Sequence, residues 1–355
     1  MFRRTLIAVS LGGAIACAHT VPALAQDTVR VAPITLHGFV YVTYRAGDPL
    51  TMDGYRLRKA DIKFAGEVAP SLKWRISFDA AKAITLNKTT SEIGDSTALS
   101  DAAIDQRSRM LQDAALTYGV NKYLSFDIGQ QIIPLGLEGT YATAQIETVE
   151  RTLFVNERSR AVGLGDVRDI GVSANGVVAD GNVEYHLGVF NETGEGAGTL
   201  DVNQQKAIVG RVAFHPAFFP AVQFGGSGGF EGGSATQRRE RAAGEIQYRD
   251  RWVTLRAEVM SARDGLLHRL GWYSLGAYRP NPRLQLTGRY DWWDRDRGAE
   301  VSVANALEKQ IVVGASYLLE GSVCRVNVNL VRQTFPNVDN VRSGTLVLAG
   351  FSGLW

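Results

Sequence analysis

Apolar and polar residues alternate along most of the chain, in segments that turn-forming clusters separate. The segment 72–79 shows the pattern best, because its even positions are apolar whereas its odd positions are Lys73, Arg75, Ser77 and Asp79. The alternation recurs in segments 124–129, 183–189, 283–292 and 325–330. A period of two predicts strands with one face toward water and the other toward apolar surroundings. Segments of about 10 to 14 residues favour strands that cross a membrane over the shorter strands of a soluble sandwich.

The connections between the segments alternate between short and long, as an outer-membrane barrel with short periplasmic turns and long external loops requires. Short turns are predicted at residues 69–71, 120–122, 179–181, 215–220, 249–251, 280–282 and 320–322. Longer polar connections are predicted at residues 46–54, 84–108, 133–166, 192–205, 231–240, 261–267, 294–307 and 335–343. These intervals predict an all-β fold, a transmembrane antiparallel β-barrel of about 16 strands. The last strand ends on Trp355 with Phe351 on the same face, which resembles the terminal signal of outer-membrane barrels.

The first residues have the pattern of a secretory signal peptide. Arg3 and Arg4 precede an apolar run over residues 6–16, and residues 23–25 form a small-residue cleavage site. We predict a signal peptide over residues 1–25 and a single barrel domain over residues 26–355, exported to the bacterial outer membrane. A helical anchor is the first alternative, although the apolar run is short for a spanning helix. Lipoprotein processing at Cys17 is the second alternative.

The charge balance and the cysteines exclude several classes of protein. The chain has 38 Lys and Arg residues and 36 Asp and Glu residues, so removal of Arg3 and Arg4 with the signal leaves 36 of each sign. A neutral mature chain without a basic tract argues against a nucleic-acid partner. Cleavage also leaves Cys324 as the only cysteine, which excludes a disulfide framework.

Five blocks of the chain carry a family resemblance, namely residues 54–79, 111–138, 168–176, 183–196 and 210–216. These blocks resemble the phosphate-selective porin O and P family. The resemblance implies a 16-stranded outer-membrane channel, often a homotrimer, with basic residues in the pore. It also implies a long third loop that folds inward as a constriction, which is the segment 133–166 between the fifth and sixth strands. That segment contains no lysine, so the residues themselves do not predict strong phosphate selectivity.

If the apolar faces contact lipid, the opposite faces line the lumen. This rule places there the basic residues Lys59, Lys63, Lys73, Arg75, Arg211, Arg256, Arg283, Arg289 and Arg325. It also places there the acidic residues Asp61, Asp79, Asp127, Glu184, Glu245, Glu258 and Asp291. In the loop, Arg151, Arg158 and Arg160 accompany Glu138, Glu147, Glu150 and Glu157. Two interpretations stay open: the cations form an anion path, or they form cross-strand ion pairs that stiffen the wall.

Two finer expectations follow from the same alternation. Counted back from Ala60, Arg58 falls on the lipid face near the external rim, unless a β-bulge shifts the pattern. Tyr41 is one of several aromatic residues expected at the headgroup level of the membrane.

The chain shows no sequence signature of an enzyme. The histidines outside the signal peptide are scattered and have no Ser or Cys motif beside them, so we predict no catalytic residue, no cofactor and no metal site. We predict a porin for passive diffusion of small hydrophilic solutes, with a mild preference for anions such as phosphate. Its partners would be outer-membrane lipid, the solutes and further copies of the chain. The alternative is a plugged barrel that acts as a structural or adhesive surface protein.

Overall fold

A computed structural model describes residues 33–47, 53–82, 85–93, 96–105, 110–155, 167–191, 205–232, 238–298, 307–319, 323–336 and 343–355. The predicted signal peptide, together with Arg158 and Arg160 of the long loop, lies outside these residues. Within the described part of the chain, no helix is long and apolar enough to cross a membrane.

The described residues form 18 strands, and the apolar and polar alternation of the sequence runs through them. The first nine are β1 (Thr35–Ala46), β2 (Gly54–Ala69), β3 (Leu72–Asp79), β4 (Thr85–Ile93), β5 (Ser96–Asp105), β6 (Leu111–Asn121), β7 (Leu124–Ile132), β8 (Arg168–Val178) and β9 (Val183–Phe190). The other nine are β10 (Ala207–Phe214), β11 (Val222–Glu231), β12 (Arg239–Arg249), β13 (Val253–Asp264), β14 (Leu267–Asn281), β15 (Leu284–Asp294), β16 (Glu308–Leu318), β17 (Cys324–Thr334) and β18 (Gly344–Leu354). Short 3₁₀ turns lie at Ala80–Lys82, Glu138–Thr140, Thr143–Gln145 and Ala179–Gly181.

Sixteen of these strands form one closed antiparallel barrel, which confirms the predicted fold class and strand number. Neighbours in the chain are neighbours in the wall, and β1 pairs with β18 to close it, with Phe39 opposite Leu354. Closure removes the free strand edges that an open sheet would expose to lipid. The remaining strands, β4 and β5, pair only with each other in the connection between β3 and β6. The sequence predicts a long polar connection over residues 84–108, and the structure shows that part of it is a strand pair.

The two faces of the wall differ as the alternation predicts. Apolar side chains such as Ile128, Leu187 and Val313 are exposed on the outer face, whereas polar and charged side chains point inward. At the closing seam, the Trp355 ring lies directly over Gly38, a position where any Cβ atom would overlap it.

Tyr41 does not lie at the membrane surface, because it is buried and its hydroxyl donates to the Val149 carbonyl oxygen at 2.9 Å. The prediction that it lies at the headgroup level is wrong.

One connection enters the barrel instead of leaving it. Residues 133–155 follow β7, the fifth strand of the barrel, and contact inward-facing residues of the opposite wall. We call residues 133–155 the constriction loop. Phe154, which is 0% exposed, packs against Tyr273 and Trp293 of that wall. The inward-folded third loop is thereby confirmed. One buried apolar cluster lies between this loop and strands β9, β10 and β13 to β15, and a second lies between the loop and strands β1 and β16 to β18.

Candidate functional site

The constriction loop is held to the wall by hydrogen bonds from its backbone. The carboxylate of Glu258, on β13, accepts the N–H groups of Leu137 at 2.9 Å and Glu138 at 3.1 Å. Within the loop, the Glu138 carboxylate accepts the N–H of Thr152 at 2.8 Å. A backbone N–H buried without a partner costs about 1–3 kcal/mol, so these acceptors stabilise the folded loop in its inward position.

Two arginines of the wall bind the loop through their guanidinium groups. The Arg256 side chain, 0% exposed, reaches the Glu147 carboxylate at 2.8 Å and lies over the Tyr141 ring. Arg289 contacts Asp291 at 2.8 Å and donates to the Thr148 hydroxyl at 2.6 Å. Both arginines were expected to line the pore. The loop covers them, so they anchor the constriction and do not face the open lumen.

The opposite side of the loop is anchored to β1, β2 and β17. Glu150 lies 3.3 Å from Arg58 and 3.8 Å from Arg45, and the Val149 N–H donates to Asn329 at 2.7 Å. Arg58 reaches the lumen because of a bulge in β2, where the register against β1 shifts between its two neighbours in the strand. The prediction that Arg58 faces lipid is therefore wrong, for the reason that alternation fails at an extra residue.

These contacts remove the acidic charge of the loop from the lumen. Glu138, Glu147 and Glu150 each lie within 4 Å of a wall arginine. Burial also raises the pKa of Tyr141, whose protonated hydroxyl donates to Gln247 at 2.7 Å. The surface beside the loop is formed by residues of the strands β1, β2, β3, β6, β7, β8 and β18.

A cavity of about 450 Å³ between the loop and those strands has an excess of cationic side chains, and we call it the basic cavity. Five Lys and Arg side chains and two carboxylates line it, namely Lys59, Lys63, Arg75, Arg151, Arg168, Asp61 and Asp113. Lys59 pairs with Asp61 at 3.1 Å, and Arg168 pairs with Asp113 at 3.1 Å. Among the described residues, the Lys63 ammonium has no ion pair. The cavity therefore carries a net positive charge.

Two further cavities adjoin the basic cavity. A lateral cavity of about 520 Å³ shares Arg75, Ile132 and Thr140 with it and is lined by equal numbers of cationic and acidic groups, apart from His186. A third cavity of about 200 Å³ shares Phe39, Ala144 and Leu354 with the basic cavity. It lies at the end of the barrel with short turns, the end expected to face the periplasm, and we call it the periplasmic cavity. Because they share lining residues, the three cavities lie next to one another beside the loop.

The structure separates the predicted pore residues into groups. Lys59, Lys63, Arg75 and Arg151 line the basic cavity, Arg211 the lateral cavity and Arg325 the periplasmic cavity. Lys73 lies near the turn between β2 and β3, with its side chain 58% exposed and 3.0 Å from Glu67, and it lines none of the three cavities.

Sequence reasoning missed three basic residues that line the cavities: Arg168, Arg249 and Arg279. Alternation counted back from Val172 places Arg168 on the outer face, yet its guanidinium contacts Asp113 in the lumen. Arg168 is the first residue of β8, where regular alternation does not yet hold. Within the described residues, no group of three His, Cys, Asp or Glu side chains could hold a metal ion.

A family model described as "Phosphate-selective porin O and P" matches residues 41–227, which is more than half of the 355-residue chain. No curated protein sequence matches significantly.

Solved structures of outer-membrane proteins share the fold at low identity. The channel DcaP of Acinetobacter baumannii has a TM-score of 0.59 at 13% identity, and the match covers 91% of this chain and 97% of that chain. The anion-selective porin from Comamonas acidovorans has a TM-score of 0.58 at 13% identity, covering 91% and 99%. The trimer form of OmpT from Vibrio cholerae has a TM-score of 0.57 at 12% identity, covering 91% and 99%.

Proposed function

Because the chain belongs to the phosphate-selective porin O and P family, and is therefore an outer-membrane channel for small solutes, we propose that this channel prefers anions. The observation that carries the proposal is the composition of the basic cavity, with five Lys and Arg side chains against two carboxylates. A lumen of one predominant sign raises the local concentration of counter-ions. Its wall charges act on ions that pass within the Debye length, which is about 8 Å at physiological ionic strength.

The sequence left two interpretations of the cations open, an anion path and cross-strand ion pairs. Each interpretation applies to different residues. Ion pairs do bridge the strands, such as Arg75 with Asp127 at 3.0 Å. The acids of the constriction loop are neutralised by buried arginines, so they do not oppose the cations of the basic cavity. The anion-selective porin from Comamonas acidovorans, which has the same fold, agrees with this proposal.

The reversal potential of the purified, refolded protein in a planar bilayer tests the proposal. Under a potassium chloride gradient, we expect a potential of the sign that chloride permeation produces. A value at zero would show that both signs pass equally and would overturn the anion preference, although the channel would stand. Absence of stepwise conductance would contradict the channel itself.

The plugged-barrel alternative is not favoured, because the chain belongs to a porin family and three adjoining cavities lie beside the loop. Deletion of residues 134–154 discriminates the two. A porin that this loop narrows conducts more after the deletion, whereas a barrel that another part of the chain seals shows no conductance.

We further propose that the channel is a homotrimer, that residues 1–25 are removed on export, and that transport needs no cofactor or catalytic residue. OmpT of Vibrio cholerae, which shares the fold, has been solved in a trimer form. The mass of the detergent-solubilised protein by light scattering tests the trimer.

Amino-terminal sequencing of the exported protein tests the cleavage, with a first residue near Gln26 as the expected result.

A further inference from the structure

The basic cavity has an apolar side as well as a charged side. Phe39 and Leu354 close it at the seam of the barrel, and Ile132 and Ala144 add aliphatic surface beside the cations. We propose that this cavity is a binding site for organic anions, namely carboxylates that carry a small apolar body, of which benzoate is the simplest aromatic example. The inference rests on the proposed anion preference and specifies its substrate class.

The charged side supplies a place for one carboxylate. Lys59 and Arg168 each face an acid of the wall, at 3.1 Å in both cases, so their charge is partly compensated. Lys63 lies on the same inward face of β2 as Lys59, four pairs along the register against β1, and its ammonium has no ion pair among the described residues. An ammonium of this kind binds a carboxylate without first breaking an existing pair.

The apolar side distinguishes this site from one built for an inorganic oxyanion. Phe39 is 7% exposed and its position is held by the neighbouring Tyr41 ring, with centroids 6.0 Å apart. Water displaced from apolar surface contributes roughly 25 cal/mol per Å² to binding. Phosphate presents hydrated oxygens in every direction and loses hydrogen bonds against such a wall, whereas a phenyl or alkyl body gains from the contact.

The size of the cavity agrees with this class. Pockets for small organic ligands commonly have volumes of roughly 300–1,000 Å³, and the basic cavity measures about 450 Å³. The adjoining periplasmic cavity, about 200 Å³, shares Phe39 and Leu354 with it, so the apolar surface continues toward the exit.

A series of acids tests the inference with the unaltered channel. Acetate, butyrate, benzoate and inorganic phosphate are added separately while the chloride current is recorded in a planar bilayer. We expect the half-blocking concentration to fall from acetate to benzoate by at least about fivefold, since one aromatic contact corresponds to that ratio. Equal half-blocking concentrations for all four would overturn the inference and leave the anion preference intact. A reversal potential at zero would instead contradict the proposed function.

Substitutions then test the apolar side and the charged side of the basic cavity separately. Phe39→Ser is expected to raise the half-blocking concentration of benzoate about fivefold and to leave acetate unchanged, whereas Lys63→Gln raises both by the same factor. Lys73→Gln is the matched control, because Lys73 lies outside the cavities. An F39S channel that binds benzoate as tightly as the unaltered channel would contradict the apolar site. Where F39S fails to insert, the acid series with the unaltered channel decides the matter.

Discussion

The Arg256 guanidinium on β13 lies 2.8 Å from the Glu147 carboxylate of the constriction loop, and neither side chain is more than 5% exposed. The two residues are 109 positions apart in the chain. A second cation, Arg249, approaches the same carboxylate at 3.0 Å. The pair therefore ties the loop to the wall and removes two opposite charges from the path of a solute.

Replacing one partner of this pair should loosen the loop. In Arg256→Met, Glu147 keeps only the contact with Arg249, and loss of a partner from a buried pair costs about 3–5 kcal/mol. We expect lower thermal stability in detergent and a noisier open-channel current. The double variant Glu147→Gln with Arg256→Met should recover part of the stability, because the side chain that replaces Glu147 carries no charge, while Glu138 still loses its contact with Arg256. An R256M protein as stable as the unaltered one would contradict the anchoring role.

The packing of Phe154 predicts a second effect. A Cβ atom at Gly271 would lie 2.6 Å from the Phe154 ring, which is fully buried, so Gly271→Ala must displace the loop or its aromatic anchor. We expect a loss of about 1–3 kcal/mol in the free energy of unfolding, measured by urea titration in detergent. Gly288→Ala is the control, since nothing lies within 4 Å of its Cβ position. Equal losses in the two variants would refute the close contact.

The effect of a cation on ion preference should depend on whether its side chain lines the basic cavity. Lys59→Gln combined with Lys63→Gln removes two of the five cations of the basic cavity, so the reversal potential should move toward zero. Lys73→Gln removes the same type of charge at the exposed turn and should leave the potential unchanged. Equal shifts in the two proteins would mean that total charge, and not the basic cavity, sets the preference.

The turn between β12 and β13 should respond to acid. The Tyr248 hydroxyl donates to Asp250 at 2.6 Å, and with the N–H groups of Val253 and Trp252 it holds the pKa of Asp250 below its ordinary value. A lowered pKa in the folded state contributes stability above the unfolded pKa, about 3.9, and that contribution disappears as the pH falls through the folded value. Asp250→Asn should therefore lower the thermal midpoint at neutral pH, with a difference that shrinks on acidification. A difference independent of pH would argue against this origin.

Local alternation was sufficient for the barrel and for most of its inward residues. Side chains in a strand alternate with a period of two, so the residues of one segment already place Lys59, Lys63 and Arg75 on the lumen face. The family resemblance of neighbouring blocks also identified the long segment after β7 as the constriction loop. These properties depend on residues close together in the chain, and the sequence displays them directly.

The accessibility of each charge depends instead on contacts between distant segments. Arg256 and Arg75 have the same inward position in their strands, yet the loop covers Arg256 and leaves Arg75 beside the basic cavity. Arg58 turns inward through one extra residue in β2, a bulge that appears only once the register against β1 is known. Burial by a loop and the register of a bulge are set by packing across the barrel. For that reason the sequence predicted a neutral, mixed lumen, and the folded chain has a basic cavity within it.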